Sequence, residues 1–456
     1  MKKKVKIVKD SFGMMEVPAD KYWGAQTQRS LINFKINDEK MPLALIHALV
    51  FIKKACAIAN CKVKKLSKQK ADYIIKVCDL ILNHKLDDNF PLSIWQTGSG
   101  TQTNMNVNEV ISFKANELAK KSLVHPNDDV NMSQSSNDVF PTGILLTIAN
   151  LTRDKLIPSL DCLIASFKKL ENQYKDVVKV GRTHLQDATP ISLGQEISAW
   201  TSILVNAKKM INDTMKYVYQ LPIGGTAVGT GINTPKGFDK SVCDELSKML
   251  NFKFTPIDNK FRGLSSKDAV SLYHSSLKVL AEGLMKIAND IRWLAAGPNC
   301  SIGEIFIPQN EPGSSIMPGK VNPTQCESMM MLCIQVIANN LAITIGNTQG
   351  NFQLNTFMPM IIYNVNQSVN LLADGMKSLN DKCVVGIKPN HMRINKNLDS
   401  NLMLATSLNV KIGYDKASQI VKYAIKEGLS LRESAIKLGF LSSEEYDKIV
   451  QPKKMI

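Results

Sequence analysis

Between Ser271 and Ala296 the large apolar residues fall at alternating steps of three and four: Leu277, Leu280, Leu284, Ile287, Ile291 and Leu294. That period lays one apolar seam along a helix and predicts a long bundle helix. Segments of the same kind occupy 142–173, 191–220, 323–348 and 356–381. Five long helices with one seam each make a bundle, and their bare length predicts bundling with other copies of the chain, because one such set leaves seams uncovered. Shorter helical patterns cover 41–60, 66–84 and a stretch ending near Lys121, after a short extended start that runs through Val17-Pro18-Ala19-Asp20. The chain thus reads as mainly α, in three domains: a mixed, mostly helical part at 1–136, the long helices at 137–390, and a small helical tail at 391–456 broken by Gly413, Gly428, Gly439 and Pro452.

Polar clusters punctuate the helices. Gly313-Ser314-Ser315-Ile316-Met317-Pro318-Gly319-Lys320-Val321-Asn322-Pro323 cannot run as regular helix, since glycines and prolines interrupt it. Asn322-Pro323 then reads as a helix start, Asn at the cap and Pro at the first helical position. Thr97-Gly98-Ser99-Gly100-Thr101 opens a second helix, and Ser135-Ser136-Asn137 a third, before Pro141. Each start offers unpaired N–H groups and a partial positive charge. Three together, rich in hydroxyls, suit a site for two carboxylates. A fourth cluster, Gly181-Arg182-Thr183-His184-Leu185-Gln186-Asp187-Ala188-Thr189-Pro190, places an imidazole before a helix expected to start at Pro190; a helix N-terminus holds such a ring neutral and able to act as a base.

Composition narrows the classes. A hydrophobic share of 44% with 21% charged residues is ordinary for a soluble globular protein. No uncharged apolar run approaches the ~18 residues of a membrane span, and Met1-Lys2-Lys3-Lys4 resembles the charged end of a signal peptide but has no apolar stretch after it. The nine cysteines form no CxxC pair and the six histidines show no metal-ligand spacing, so the expectation is free thiols, a reducing cytoplasmic setting, and no metal. A net charge of +16 raises nucleic-acid binding. Only seven arginines stand among the 56 basic residues, however, and the lysines are dispersed along helices, which argues for a solvated surface that draws anionic metabolites instead.

From about Val8 to Pro452 these motifs resemble, in order, those of the fumarase/aspartase superfamily: Asp20 to Ser30, Thr97 to Asn104, His125 to Asp129, Ser133 to Asp138, Gly181 to Pro190, Gly224 to Gly231, and the Gly313 loop. Gly319-Lys320-Val321-Asn322-Pro323-Thr324-Gln325-Cys326-Glu327 is similar to class II fumarases in particular; aspartases usually carry Ala at the Gly319 position and differ after Pro323. The resemblance implies hydration of fumarate to L-malate, a step of the tricarboxylic acid cycle, with no metal or organic cofactor. Ser314 would be the base that takes the C3 proton, its alkoxide favoured by Lys320 and loop N–H groups. His184, paired with Glu327, would handle the water. Lys320 and Asn322 would hold the carboxylate that becomes an aci-carboxylate. Ser99, Gly100, Thr101, Ser135, Ser136, Asn137, Thr183, Ser315 and Val321 would complete substrate binding. It also implies a homotetramer with a twenty-helix core, each site built from three subunits, and no nucleic-acid or membrane partner.

Three places depart from the family. Its second anion site, here His125, Pro126, Asn127 and Asp128, usually has Arg-Lys upstream, where this chain has Ser122 and Leu123. Gly297-Pro298-Asn299-Cys300-Ser301 lacks a usual arginine at Asn299, and Thr234-Pro235-Lys236 is slightly aspartase-like. The rival readings are an aspartate ammonia-lyase on the same scaffold and a catalytically silent homologue. The Gly319 loop argues against the first, and joint retention of Ser314, His184, Lys320, Asn322 and Glu327 against the second.

Overall fold

A computed structural model describes residues 4–456; the basic start at Met1 to Lys3 lies outside them. An antiparallel hairpin of β1 (Val5–Asp10) and β2 (Gly13–Pro18) comes first. Six helices follow: α1 (Ala25–Asn33), α2 (Leu43–Lys62), α3 (Lys68–Leu82), α4 (Thr101–Ala119), α5 (Ser136–Leu151) and α6 (Ile157–Gln173). A second hairpin, β3 (Val178–Thr183) with β4 (Gln186–Ser192), leads into α7 (Leu193–Val218). Then come α8 (Phe238–Leu250), α9 (Lys260–Ser265), α10 (Asp268–Leu294), α11 (Thr324–Thr348), α12 (Met358–Lys382) and α13 (His391–Asp399), ahead of short C-terminal helices.

The mainly helical reading holds, and all five long stretches are present. The first starts ahead of its apolar stretch at 142–173, at the helix opening that Ser135-Ser136-Asn137 marked. Helix α5 begins at Ser136 and carries Pro141 inside it, because Ser135 and Asp138 form a reciprocal capping box that holds the first turn. A single wide turn, Thr152–Leu156, then joins α5 to α6. The seam residues of α10 are buried, Leu277 to Ile291 at 0% exposure and Leu294 at 5%. Among the described residues two helices, α2 and α11, are long and apolar enough to cross a membrane by length and composition, although neither is an uninterrupted apolar run. Two lysines interrupt α2, and scattered Asn, Gln and Thr interrupt α11. Helix α2 lies mostly in the core, whereas α11 leaves Met331, Ile334, Leu341 and Ile345 exposed along one stripe.

The chain packs as two compact units, one of Met1–Pro158, Lys209–Ala281 and Ile334–Ala373, the other of Ser159–Lys208, Glu282–Cys333 and Asp374–Ile456. In the first, α2 packs on α3, α5 and α8. Gly143 permits the close approach to α2: a Cβ there would lie 2.7 Å from Leu49 Cδ2. His274 on α10 is fully buried between the Asn340 side chain, 3.0 Å from Nδ1, and the Ser368 hydroxyl, 2.8 Å from Nε2. Burial pushes this imidazole down to about 4, so it stays neutral at pH 7. Such a satisfied polar layer fixes helix register where an apolar seam alone would permit sliding.

In the second unit, Trp200 on α7 donates from Nε1 to Asp290 on α10 at 3.0 Å and meets Phe167 edge-on. The two-residue strands Ile305–Phe306 and Lys388–Pro389 pair antiparallel. The C-terminal helices close over a cluster of their own that includes Leu408, Ile420, Leu431 and Ala435.

Candidate active site

In the first unit two helix starts converge. Gly100 caps α4 at φ +73°, and a Cβ there would fall 2.1 Å from Phe140 of α5. Only glycine fits this left-handed turn against a ring. The close approach lines up hydroxyls: Ser99 Oγ lies 2.8 Å from Thr101 Oγ1, which lies 2.8 Å from Ser136 Oγ at the start of α5. The buried Asp138 ties this corner to the Gly224 loop. One of its oxygens accepts from Ser135 N at 2.9 Å, the other from Gly224 N and Thr226 N at 2.9 Å each. Burial raises the Asp138 carboxyl pKa, and those three N–H groups oppose the rise. Asn137 donates to Ala227 O at 2.8 Å and is held on the same loop.

Thr101, Ser135 and Ser136 line a pocket of about 840 Å³ that also contains Asn127 and Asp128. Three of the residues foreseen for substrate thus share a pocket with two foreseen for a second anion, whereas Ser99, Gly100, Asn137, His125 and Pro126 are not among its lining residues. His125 caps the turn Pro126–Val130, its Nδ1 accepting from Asn127 N at 3.3 Å and Asp128 N at 3.1 Å. Sequence reading missed a support behind that pocket. Lys53 of α2 is wholly buried, and its ammonium donates to the amide oxygens of Asn104 (2.7 Å), Asn131 (2.9 Å) and Gln134 (2.9 Å), all lining the pocket. Its three hydrogens are matched by three acceptors, yet burial still holds its pKa down to about 8. In the pair Lys53-Lys54 either lysine reads as a surface residue, and no local signal marks Lys53 as the buried one.

In the second unit the histidine lies elsewhere than expected. Residues 178–192 form a hairpin, not a loop before a helix at Pro190; α7 starts at Leu193. His184 and Leu185 are the two-residue turn, with φ +56° and +60°. This is the geometry of a type I′ turn, which usually takes Asn-Gly; a histidine and a leucine there store backbone strain of about 1–2 kcal/mol each. The imidazole is thus presented at an exposed tip, and the helix-dipole argument for its basicity falls away.

What holds the hairpin is a buried ion cluster. Glu304, fully buried, receives both Arg182 Nη atoms at 2.8 and 2.9 Å and Asn397 Nδ2 at 3.0 Å, and Lys179 lies 3.2 Å away. Lys179 also meets Glu196 at 3.3 Å. Burial pushes the Glu304 carboxyl pKa up, but the Arg182 bonds and the Lys179 charge outweigh it, and the net direction is down.

The Gly313 loop is largely exposed and internally braced. Ser314 Oγ accepts from Ile316 N at 3.2 Å and Met317 N at 3.1 Å. Lys320 Nζ donates to Asn322 Oδ1 at 2.8 Å, and Asn322 Nδ2 to Gly313 O at 2.7 Å. Asn322 therefore closes the loop on itself instead of capping α11, which starts at Thr324 after Pro323. Val321 and Ser315 stand in the same loop, and Glu327 is exposed on the first turn of α11. Among the described residues of one chain, no hydrogen bond or ion pair joins His184 to Glu327, or Lys320 to Ser314. Near Asn299, where the family's arginine is missing, Arg393 of α13 donates to the carbonyls of Ile302, at 3.2 Å, and Ser301. A guanidinium from another element reaches that loop.

Residues 13–338 match the family described as Lyase, and residues 404–456 match Fumarase C C-terminus. The chain is 53% identical to a class II fumarate hydratase of Campylobacter jejuni over 98% of both chains. It is 54% identical to one of Helicobacter pylori over 99% of this chain and 98% of the relative. Among solved structures it superposes on a class II fumarase of Schistosoma mansoni with a TM-score of 0.97, 43% identity and 99% coverage of each chain. A fumarate lyase:delta crystallin of Brucella melitensis, solved bound to cobalt, gives 0.95 at 38% identity, again with 99% of each chain covered. At more than half identity over nearly the full length of both chains, and with both family regions matched, the chain belongs to the class II fumarate hydratases, hydro-lyases that interconvert fumarate and L-malate.

Proposed function

We propose that Ser314 is the base that removes the C3 proton of L-malate, and that the reaction passes through an aci-carboxylate without a metal or organic cofactor. The observation that carries this reading is the pair of N–H groups, Ile316 and Met317, directed at Ser314 Oγ. Two such donors favour the alkoxide over the neutral hydroxyl, as preorganised backbone dipoles do in oxyanion holes. Lys320 and Asn322, already bonded to each other, offer a cation and an amide to the carboxylate on which negative charge accumulates. Ser99, Thr101, Ser135, Ser136, Asn137 and Thr183 bind the remaining carboxylate and the hydroxyl, aided by two helix starts.

His184 delivers or accepts the proton of water, with Glu327 fixing its tautomer. We assign this pair to different copies of the chain. In the same proposal the protein is a homotetramer whose sites draw on three subunits. The exposed stripe of Met331, Ile334, Leu341 and Ile345 on α11 supports it, since such a seam calls for apolar cover. The three-domain division at 136 and 390 and a cytoplasmic setting belong to this reading too; the nine free cysteines suit a reducing compartment.

Ser314→Ala tests the base assignment. Turnover of L-malate should fall by ~10²–10⁴-fold, with the circular dichroism spectrum and the tetramer's elution unchanged. Turnover near wild type would remove Ser314 from the role.

A further inference from the structure

Six histidines at unhelpful spacings gave no hint of a metal site, yet the fold brings two of them to one carboxylate. His47 projects from the second turn of α2, and its Nε2 lies 3.4 Å from Asp87 Oδ1. His84 Nδ1 lies 2.7 Å from Asp87 Oδ2. The two rings stand edge-on with centroids 4.7 Å apart, and the three potential ligand atoms lie within 4.8 Å of one another. The neighbouring Asp88 is engaged by Lys21 and by Asn89, so it does not compete for the corner.

The backbone at His84 adds an independent observation. Helix α3 ends in a paired closing motif: His84 N donates to Ile81 O at 2.9 Å and Lys85 N to Leu80 O at 3.1 Å. The residue in the left-handed position of this motif is usually glycine. Here it is His84 at φ +59°. A histidine held in that conformation is strained, and strain of this kind collects where a side chain's direction matters.

We propose that His47, His84 and Asp87 form a binding site for a divalent first-row transition ion of the zinc type, which fastens α2 to the connection after α3 and takes no part in the hydration. Two imidazole nitrogens and one carboxylate oxygen are the donor set such ions prefer. Ligands about 2.0–2.2 Å from zinc stand roughly 3–3.5 Å apart; the 2.7 and 3.4 Å contacts run to different oxygens of Asp87 and the ligand atoms lie within 4.8 Å of one another, so the side chains close on the ion by rotamer adjustments of about an ångström. As the ion takes His84 Nδ1, the proton that this nitrogen gives to Asp87 moves to Nε2, so the neutral ring ligates through one nitrogen and keeps its N–H on the other. Water would fill the remaining positions, as His84 is exposed.

Equilibrium dialysis of the chelator-stripped protein against zinc chloride tests this. The expected result is one zinc per chain at neutral pH, binding that weakens through the histidine range as pH falls, and affinity lower by ~100-fold or more in His84→Asn and in Asp87→Asn. Asparagine tolerates the left-handed backbone, so His84→Asn retains the turn; circular dichroism checks both variants. Cobalt in place of zinc should give visible bands that the same variants lose. No zinc bound by the wild type would overturn the proposal. So would an equivalent that survives both substitutions, which would place it on the exposed Cys162 or Cys300 or another surface group.

Discussion

Glu304→Gln removes one charge from the cluster behind the histidine hairpin, and the cost can be worked from its geometry. The carboxylate neutralises Arg182 through two bonds at 2.8 and 2.9 Å and faces Lys179 at 3.2 Å. A glutamine keeps one acceptor but turns an amide NH₂ toward donors. Lys179 retains Glu196 at 3.3 Å, so the orphaned charge is mainly Arg182, whose other partner is the exposed Asp187 at 3.8 Å. Breaking a buried pair costs about 3–5 kcal/mol, and the retained Glu196 puts this case near the lower end. A loss of ~3 kcal/mol in local opening energy is a ~10²-fold rise in exchange rate. Hydrogen exchange of the peptide spanning 178–192 is the assay, read against peptides from α2. Turnover should fall with it, because Thr183 and His184 ride on the hairpin. Unchanged exchange at 178–192 in a folded variant would refute the claim that this cluster holds the His184-Leu185 turn. The native contribution has a defined pH window. The folded pKa of Glu304 lies below its ordinary 4.5, so the stabilisation is complete above that value and is lost as pH falls through the folded one.

Three other predictions follow from single positions. His184→Asn keeps a residue that tolerates φ above zero, so turnover should drop with no change in hydrogen exchange of the hairpin; an unfolded product would make the histidine structural. Gly100→Ala sets a methyl 2.1 Å from the Phe140 ring and forces a left-handed alanine; urea denaturation should show a loss of ~2–4 kcal/mol, with KM for malate raised as Thr101 shifts. Lys53, held down to about 8 by burial, is bound by fewer protons in the folded than the unfolded state between there and its ordinary 10.5. Stability of the wild type relative to Lys53→Met should therefore rise across that interval by ~3 kcal/mol, and a flat difference would show that the ammonium stays charged in the fold.

What could be read in advance follows from what is local. The seam from Leu277 to Leu294 and the hydroxyl clusters at Thr97 and Ser135 are short-range patterns, and each lies where its period or cap chemistry implied. The hairpin at 178–192 was hidden because His184-Leu185 is an unfavourable pair for its turn and Pro190 resembles a helix start. Its anchor, Glu304, lies 122 residues from Arg182. Lys53 and the meeting of His47 with Asp87 are likewise tertiary facts, with no periodicity to announce them. Asn322 was misjudged for a different reason: an Asn-Pro pair fits a cap, but the loop's need to close on Gly313 takes the side chain first.

The most direct test of the central claim is an ultraviolet assay of the purified, chelator-treated protein, with L-malate and L-aspartate supplied separately and fumarate followed. Fumarate from L-malate alone is the predicted result. Fumarate from L-aspartate, or none from L-malate, would contradict the account.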